Sequence, residues 1–456
     1  MHTYEVDVVV VGMGPGGEEL AGTLAAAGLQ VVGIDHHLVG GECPYYGCIP
    51  SKMMIRAADL LAEARRVDQM AGTATVVPDW SIVARRIRDE ATDDWDDTVA
   101  VDRFVGKGGR FVRGTGVLDG PGRVRVGDEV FVARRGVVIA TGTSPAIPPI
   151  DGLAAARPWT NRDVFKIDTT PRSLIVVGGG AIGLELAQAM ARFGTQVTVI
   201  EPAERILVPE EPETSELLMR VLQDEGITIR IGVAATSVRR DAQVEVALDE
   251  GTTVLSDEIL VAAGRTPNLH GIGLDTVGLD PDARPALVVD EHMRVEGVPK
   301  LWAIGDIAGR GAWTHMAVYE AGIAADDILG VGAPRVAESH AVSRVTFTDP
   351  EVGSVGMTEA QARAAGLSVR VGLADGSTSS RGWIHQAGND GLIKLIEDAD
   401  RGILVGATTV GPHGGEVLGL FNLAVHARVP VDQLRTMIYA YPTFYRGALD
   451  ALAALA

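Results

Sequence analysis

Short β-branched runs alternate with alanine-rich stretches along this chain, and the runs repeatedly end at glycine-rich turns. Asp7 to Val11 leads into Gly12-Met13-Gly14-Pro15-Gly16-Gly17, then an alanine-rich helical stretch, then Leu29 to Ile34 and Asp35. Strand, glycine turn, helix and strand in that order predict a βαβ unit, since a parallel return needs a crossover. The pattern recurs at Leu174 to Val177, Gly178-Gly179-Gly180-Ala181-Ile182-Gly183, a helix through about Phe193, and Val197 to Ile200 closing on Glu201. Three further apolar strands run into glycine turns: Ala140-Thr141-Gly142, Ala262-Ala263-Gly264-Arg265-Thr266-Pro267-Asn268 and Ala303-Ile304-Gly305-Asp306. Near the carboxy terminus Leu392 to Glu397 is expected as a strand. The preceding Arg381-Gly382-Trp383-Ile384-His385 suits a subunit interface or the rim of a pocket.

Composition narrows the class. At 456 residues and 46% apolar the chain can bury more than one core, and 56 glycines fit many tight turns. A net charge of -20 with no basic run argues against nucleic acid or an anionic membrane as partner. Residues 1–11 lack a basic flank, and no segment reaches the roughly 20 apolar residues of a membrane span. A cytoplasmic enzyme acting on a small molecule, without a metal site, is the expectation.

The two glycine turns each match G-x-G-x-x-G in its βαβ setting. Gly12 and Gly178 permit the tight turn, Gly14 and Gly180 let backbone approach a pyrophosphate, and Gly17 and Gly183 let helix pack on strand. Asp35 and Glu201, at the ends of the second strands, are placed to accept ribose hydroxyls. Two such units imply two dinucleotides. An acid there favours a free 2'-hydroxyl over a 2'-phosphate, so Glu201 points to NADH, while Arg205 nearby keeps NADPH open.

The segment Gly40-Gly41-Glu42-Cys43-Pro44-Tyr45-Tyr46-Gly47-Cys48-Ile49-Pro50-Ser51-Lys52 holds both cysteines of the chain. With no other cysteine to staple, a pair this close is better placed for redox cycling than for structural support. In the cytosol a disulfide is more often catalytic than structural.

These motifs together resemble the flavoprotein disulfide reductases, the pyridine nucleotide-disulfide oxidoreductases that include dihydrolipoamide dehydrogenase, glutathione reductase and mercuric reductase. The resemblance covers essentially the whole chain. It implies an α/β fold with an FAD domain at 1–150 and 271–338 and an NAD(P) domain at 151–270. A carboxy-terminal α+β dimerisation domain follows at 339–456, opening near Phe347-Thr348-Asp349-Pro350-Glu351. It implies a homodimer in which Cys43 is the interchange thiol and Cys48 the flavin-side thiol. Lys52 pairs with Glu185 beside the flavin, and Asp306 contacts the flavin ribitol. Gly41, Lys52, Thr141, Gly142, Gly264 and Gly305 join the cofactor-binding set. Electrons would pass from NADH through FAD to the thiols, and the flavin-side thiolate at a helix start near Lys52 should titrate low.

Two departures separate the chain from that pattern. Dithiol-reacting members carry His-x-His-Pro-Thr-x-x-Glu near the carboxy terminus, the second His being a general base. Here the segment reads Tyr439-Ala440-Tyr441-Pro442-Thr443-Phe444-Tyr445-Arg446. Tyr441 stands at the base, and a phenol with an ordinary pKa of about 10 is a poor proton acceptor at neutral pH. The chain also ends without the cysteine pair of mercuric reductases. Beside the thiols, Glu42 either substitutes as proton acceptor or raises the Cys43 pKa by repulsion.

Five of the seven tyrosines, Tyr45, Tyr46, Tyr439, Tyr441 and Tyr445, fall in segments that the family joins across the dimer. Aromatic walls suit a planar acceptor such as a quinone, and they equally suit a subunit interface. The first expectation is therefore NADH-dependent transfer through FAD and Cys43–Cys48 to a small acceptor, a quinone or another aromatic compound. A dihydrolipoamide dehydrogenase-like enzyme with a relocated base is the alternative, and a flavin-bearing redox sensor a third.

Overall fold

Val8, Val9 and Val10 are fully buried and Val11 nearly so, because their strand lies inside a parallel sheet and packs on both faces. The strand His2–Val11 pairs in parallel with Val31–Asp35 on one side and Glu129–Ile139 on the other. Arg110–Arg113 extends the sheet beyond Val31–Asp35, and Leu301–Ala303 joins Glu129–Ile139 in parallel. An antiparallel edge of Arg123–Val126 and Val117–Leu118 completes seven strands. The helix Pro15–Ala26 starts with proline at its first turn, where a missing N–H is harmless. Its small residues let it lie against the helix Thr314–Leu329, close enough that a Cβ on Gly16 would sit 2.8 Å from the Ala317 carbonyl oxygen.

This sheet belongs to the first of two compact units in the computed structural model, which describes residues 2–282 and 285–455. The first unit comprises the chain to Pro50, Ile87–Ser144 and Arg265–Glu338. The second comprises Ser51–Arg86, Pro145–Gly264 and the chain from Ser339.

The second unit contains three sheets. Four parallel strands run in the order Thr228–Ile231, Gln196–Glu201, Ser173–Val177, Glu258–Val261. A three-stranded antiparallel sheet of Ala235–Arg240, Val244–Leu248 and Thr253–Ser256 sits in the same stretch of chain. Five antiparallel strands follow, in the order Ser343–Thr346, Glu351–Gly356, Ile403–Gly411, Leu392–Asp398, Val369–Asp375. The helices Gly414–His426 and Ala448–Ala453 pack against this last sheet, and both central strands are buried throughout.

Residues 151–264 and 339–456 cluster in this one unit, and buried ion pairs show what ties them. Lys394, 2% exposed on the strand Leu392–Asp398, lies within 3.0 Å of Glu211, Glu213 and Glu359. Arg344 clamps Glu210, whose other contact is the Ser354 hydroxyl. Removing one partner of such a cluster strands a buried charge at a cost of about 3–5 kcal/mol.

Candidate functional site

The two glycine turns repeat one stereochemical design. A Cβ on Gly12 would meet the Ala140 carbonyl oxygen at 2.3 Å, and one on Gly178 the Ala262 carbonyl oxygen at 2.4 Å. Gly17 and Gly183 press in the same way on the carbonyl oxygens of Gly12 and Gly178, at 2.0 and 2.2 Å. Gly14 and Gly180, by contrast, face open space, which leaves their backbone free to approach a ligand. Each acid is held identically. Asp35 accepts from the Met13 amide at 2.7 Å and the His37 amide at 2.7 Å, and Glu201 from Gly179 at 2.7 Å and Ala203 at 2.8 Å. Carboxylates offer about four acceptor positions, so each keeps capacity for ribose hydroxyls. Arg205 is spent locally, donating to the carbonyls of Leu207 and Val208 and to the Ser215 hydroxyl.

In the first unit the thiol turn folds back onto the first glycine turn. Gly41 adopts φ 66, and a Cβ there would stand 2.9 Å from Gly14 Cα. A five-residue helix, Glu42–Tyr46, carries Cys43, and the long helix Cys48–Met70 begins at Cys48. Both cysteines are free thiols. The Cys43 pKa is raised by its hydrogen bond with Cys48 and by burial. The Thr314 hydroxyl lies 3.3 Å from Cys48 Sγ. Glu42 is ion-paired with Arg265 at 3.4 Å.

Arg265 also donates from Nε to the Thr143 hydroxyl at 2.6 Å and from Nη2 to the Thr143 carbonyl at 2.8 Å. The Thr143 hydroxyl donates to Asp306 at 2.5 Å. Asn268 bolts this turn to its neighbour, exchanging hydrogen bonds with Thr141 and accepting from the Ser144 hydroxyl. Behind Asp306, the Gly305 amide donates to Glu320 at 2.6 Å, and burial pushes the Glu320 pKa up to about 7. Gly142, Gly264 and Gly305 have φ of 62, 119 and 76.

In the second unit Lys52 and Glu185 form an ion pair at 2.8 Å, with Glu185 7% exposed. Phe347 joins them, its ring centroid 4.4 Å from Lys52 Nζ and its amide donating to the other Glu185 oxygen at 2.8 Å. The pair begins a polar seam. Lys52, Asp59 and Arg66 share one face of the Cys48–Met70 helix, and Glu185, Gln188 and Arg192 share one face of Ala181–Arg192. Gln188 exchanges hydrogen bonds with the backbone of Asp349, and Arg192 binds both Asp59 and Asp349 at 2.7 Å. Burial outweighs the pull of Arg192 and pushes the Asp59 pKa up to about 6. Cys48 and Lys52 stand one turn apart on the same helix.

Three of the five clustered tyrosines are occupied by their own chain. Tyr45 is buried, with its hydroxyl 3.4 Å from the Asp96 carbonyl, and its pKa is pushed up to about 12 by burial and by Asp97. Tyr439 donates to the Leu434 carbonyl, and the Tyr445 hydroxyl accepts from the Ala440 amide. Tyr46 packs at an angle to Tyr45, while Tyr441 is 68% exposed with Arg446 5.2 Å from its ring centroid. Trp383 is 75% exposed on the short helix Ser380–His385, and His385 stands edge-on to Phe444.

Residues 6–321 match the pyridine nucleotide-disulphide oxidoreductase family, and residues 342–451 match its dimerisation domain. The chain belongs to this family. Pyridine nucleotide-disulphide oxidoreductases bind FAD and NAD(P)H, and the chain is accordingly an NAD(P)H-dependent flavoprotein oxidoreductase. The paired glycine turns, with open space at Gly14 and Gly180, fit two dinucleotides. The dimerisation domain supports a homodimer. The dihydrolipoyl dehydrogenase of Thermus scotoductus is 33% identical over 471 residues, spanning 100% of this chain and 98% of the relative. The mercuric reductase of Streptomyces lividans is 31% identical over 446 residues, 96% and 93% of the two chains. Among solved structures, the Cu(II) complex of the HOCl-induced flavoprotein disulfide reductase RclA from Escherichia coli superposes with a TM-score of 0.87. It is 25% identical, over 99% of each chain. LpdA from Mycobacterium tuberculosis gives 0.85 at 26% identity, also over 99% of each. No helix among the described residues is long and apolar enough to cross a membrane.

Within this oxidoreductase, sequence reasoning passed over Thr143, Thr314 and Glu320, and took Arg265 only as part of a turn and Phe347 only as part of a domain opening. Arg265 and Phe347 lie inside motifs already singled out, so proximity was their only signal. Thr143, Thr314 and Glu320 carry none, since each gains its partner from a segment distant in sequence.

Proposed function

We propose that this oxidoreductase passes electrons from NADH, by way of FAD and the Cys43–Cys48 pair, to a small acceptor outside the dithiol class, a quinone or another aromatic compound. The carrying observation is that the donor-side residues are engaged while Tyr441 stands in the segment where dithiol-reacting members carry their base. Cys43, Cys48, Lys52, Glu185 and Asp306 each have close partners, whereas Tyr441 replaces the base and Glu42 is bound to Arg265 at 3.4 Å.

The first unit's turn at Gly12, Gly14 and Gly17, with Asp35, Gly41 and Asp306, would hold FAD. The second unit's turn at Gly178, Gly180 and Gly183, with Glu201, would hold the nicotinamide nucleotide. FAD, when bound, supplies a two-electron carrier between nicotinamide and thiols. The protein's part is placement and proton control. Closing the Cys43–Cys48 dithiol to a disulfide releases two electrons and two protons. The Thr314 hydroxyl is positioned to donate to a Cys48 thiolate. Glu201, with Arg205 engaged by the carbonyls of Leu207 and Val208 and the Ser215 hydroxyl, favours NADH.

A second reading, dihydrolipoamide oxidation, is favoured by the 33% identity to a dihydrolipoyl dehydrogenase. Anaerobic titration with NADH, followed by turnover of a quinone and of dihydrolipoamide, separates the two. We expect a long-wavelength thiolate-to-flavin band at two electrons, with fast quinone reduction and slow dihydrolipoamide oxidation. Rapid dihydrolipoamide oxidation without quinone turnover would overturn the proposal.

A further inference from the structure

We propose that Arg265 is a positioning residue of the thiol centre: it neutralises the Glu42 carboxylate beside Cys43 and ties the thiol turn, through Thr143, to Asp306. The proposal rests on the reading of Cys43 as the exchange thiol. Its ground is a continuous chain of contacts inside the first unit. Glu42 meets Arg265 at 3.4 Å, Arg265 reaches Thr143 at 2.6 Å, and Thr143 reaches Asp306 at 2.5 Å. The donors run in one direction, from guanidinium to hydroxyl to carboxylate, so each group is used in the role its charge prefers.

The geometry around Arg265 leaves it little freedom. Its side chain is 20% exposed, Glu42 is 26% exposed, and Thr143 is buried. Nη2 bonds the Thr143 carbonyl while Nε bonds its hydroxyl, so the fork is fixed to the backbone and the remaining donor capacity is aimed at Glu42. A lysine would carry the charge but not the fork.

The consequence concerns the ionisation of Cys43. Cys48 through its hydrogen bond, burial, and Thr314 from the helix Thr314–Leu329 act on this thiol; the neighbouring residue, Glu42, carries its charge against Arg265 from the strand Arg265–Pro267. Thr143, Asp306 and Glu320 lie behind Arg265. An unpaired carboxylate at Glu42 would oppose loss of the Cys43 proton, and Arg265 cancels that opposition. Glu42 is thus an electrostatic neighbour of the thiol rather than its base.

The test is the pH dependence of iodoacetamide alkylation of the reduced holoenzyme, with the Cys43 peptide quantified by mass spectrometry. Arg265→Gln should raise the alkylation midpoint by about one pH unit. Glu42→Gln should lower it, because the cation is then uncompensated. The double variant should return it close to that of the unsubstituted protein, and Arg265→Lys should shift it less than Arg265→Gln. Profiles that coincide for Glu42→Gln and the unsubstituted chain overturn the proposal, even where Arg265→Gln fails to fold. Failure of the double variant to restore the midpoint does the same. The assay uses neither NADH nor acceptor, so a negative result leaves the charge-transfer titration to judge the electron path separately.

Discussion

Glu320 is sealed from solvent, with one carboxyl oxygen bound by the Gly305 amide and the other without a hydrogen-bond partner. Burial raises its pKa from 4.5 to about 7, against the pull of the Gly305 amide and Arg310. Between those values the folded chain retains a proton that the unfolded chain has lost, so stability falls as pH rises through the window and levels off above it. The full shift corresponds to roughly 3 kcal/mol. Glu320→Gln keeps an acceptor for Gly305 but does not titrate. Its stability relative to the unsubstituted protein should therefore improve by a few kcal/mol between pH 4 and pH 8. Denaturant unfolding at the two pH values measures this, and parallel curves for the two proteins would show that Glu320 is not the titrating group. The sequence gives no warning of such a residue, because its burial arises from the packing of the Thr314–Leu329 helix against the Gly305 turn.

The strand-turn-helix element shows what is legible in sequence. Gly12, Gly17 and Asp35 are recognisable because each answers a stereochemical demand that no other arrangement meets as cheaply, and Gly178, Gly183 and Glu201 answer the same demands. Thr143, Thr314 and Phe347 are ordinary residues on ordinary elements, and their roles exist only after distant segments meet. The paired design yields a paired prediction. In Gly17→Ala a Cβ would lie 2.0 Å from the Gly12 carbonyl oxygen, and in Gly183→Ala 2.2 Å from that of Gly178, so the turn must distort in both. Gly17→Ala should purify with at least tenfold less flavin. Gly183→Ala should purify yellow, reducible by dithionite but with NADH affinity lowered at least tenfold, a loss of about 1.4 kcal/mol or more. Visible spectra and NADH titration distinguish them, and a flavin-replete Gly17→Ala protein would remove the first turn from cofactor binding.

At the scale of the whole molecule, the carboxy-terminal segment presents apolar surface that a lone chain leaves wet. Ile438 is 95% exposed, Trp383 75% and Tyr441 68%. Exposed apolar groups beside a dimerisation domain are the expected signature of a subunit contact. Ile438→Glu should weaken the homodimer by about 2 kcal/mol or more, since the burial is lost and a charge must be desolvated. Sedimentation velocity across a dilution series would report monomers at concentrations where the unsubstituted chain is paired. An unchanged distribution would place the contact elsewhere.

The fixing of Arg205 bears on how such a protein can evolve. Its guanidinium is committed to the carbonyls of Leu207 and Val208 and to the Ser215 hydroxyl, and the Glu201 carboxylate is committed to two amides of its own turn. Replacing Glu201 would remove the carboxylate's repulsion toward a 2'-phosphate, but it would also unfasten the turn that its two amide contacts hold. If the coenzyme is NADH as proposed, a change of preference has to rebuild this turn as well as remove its charge.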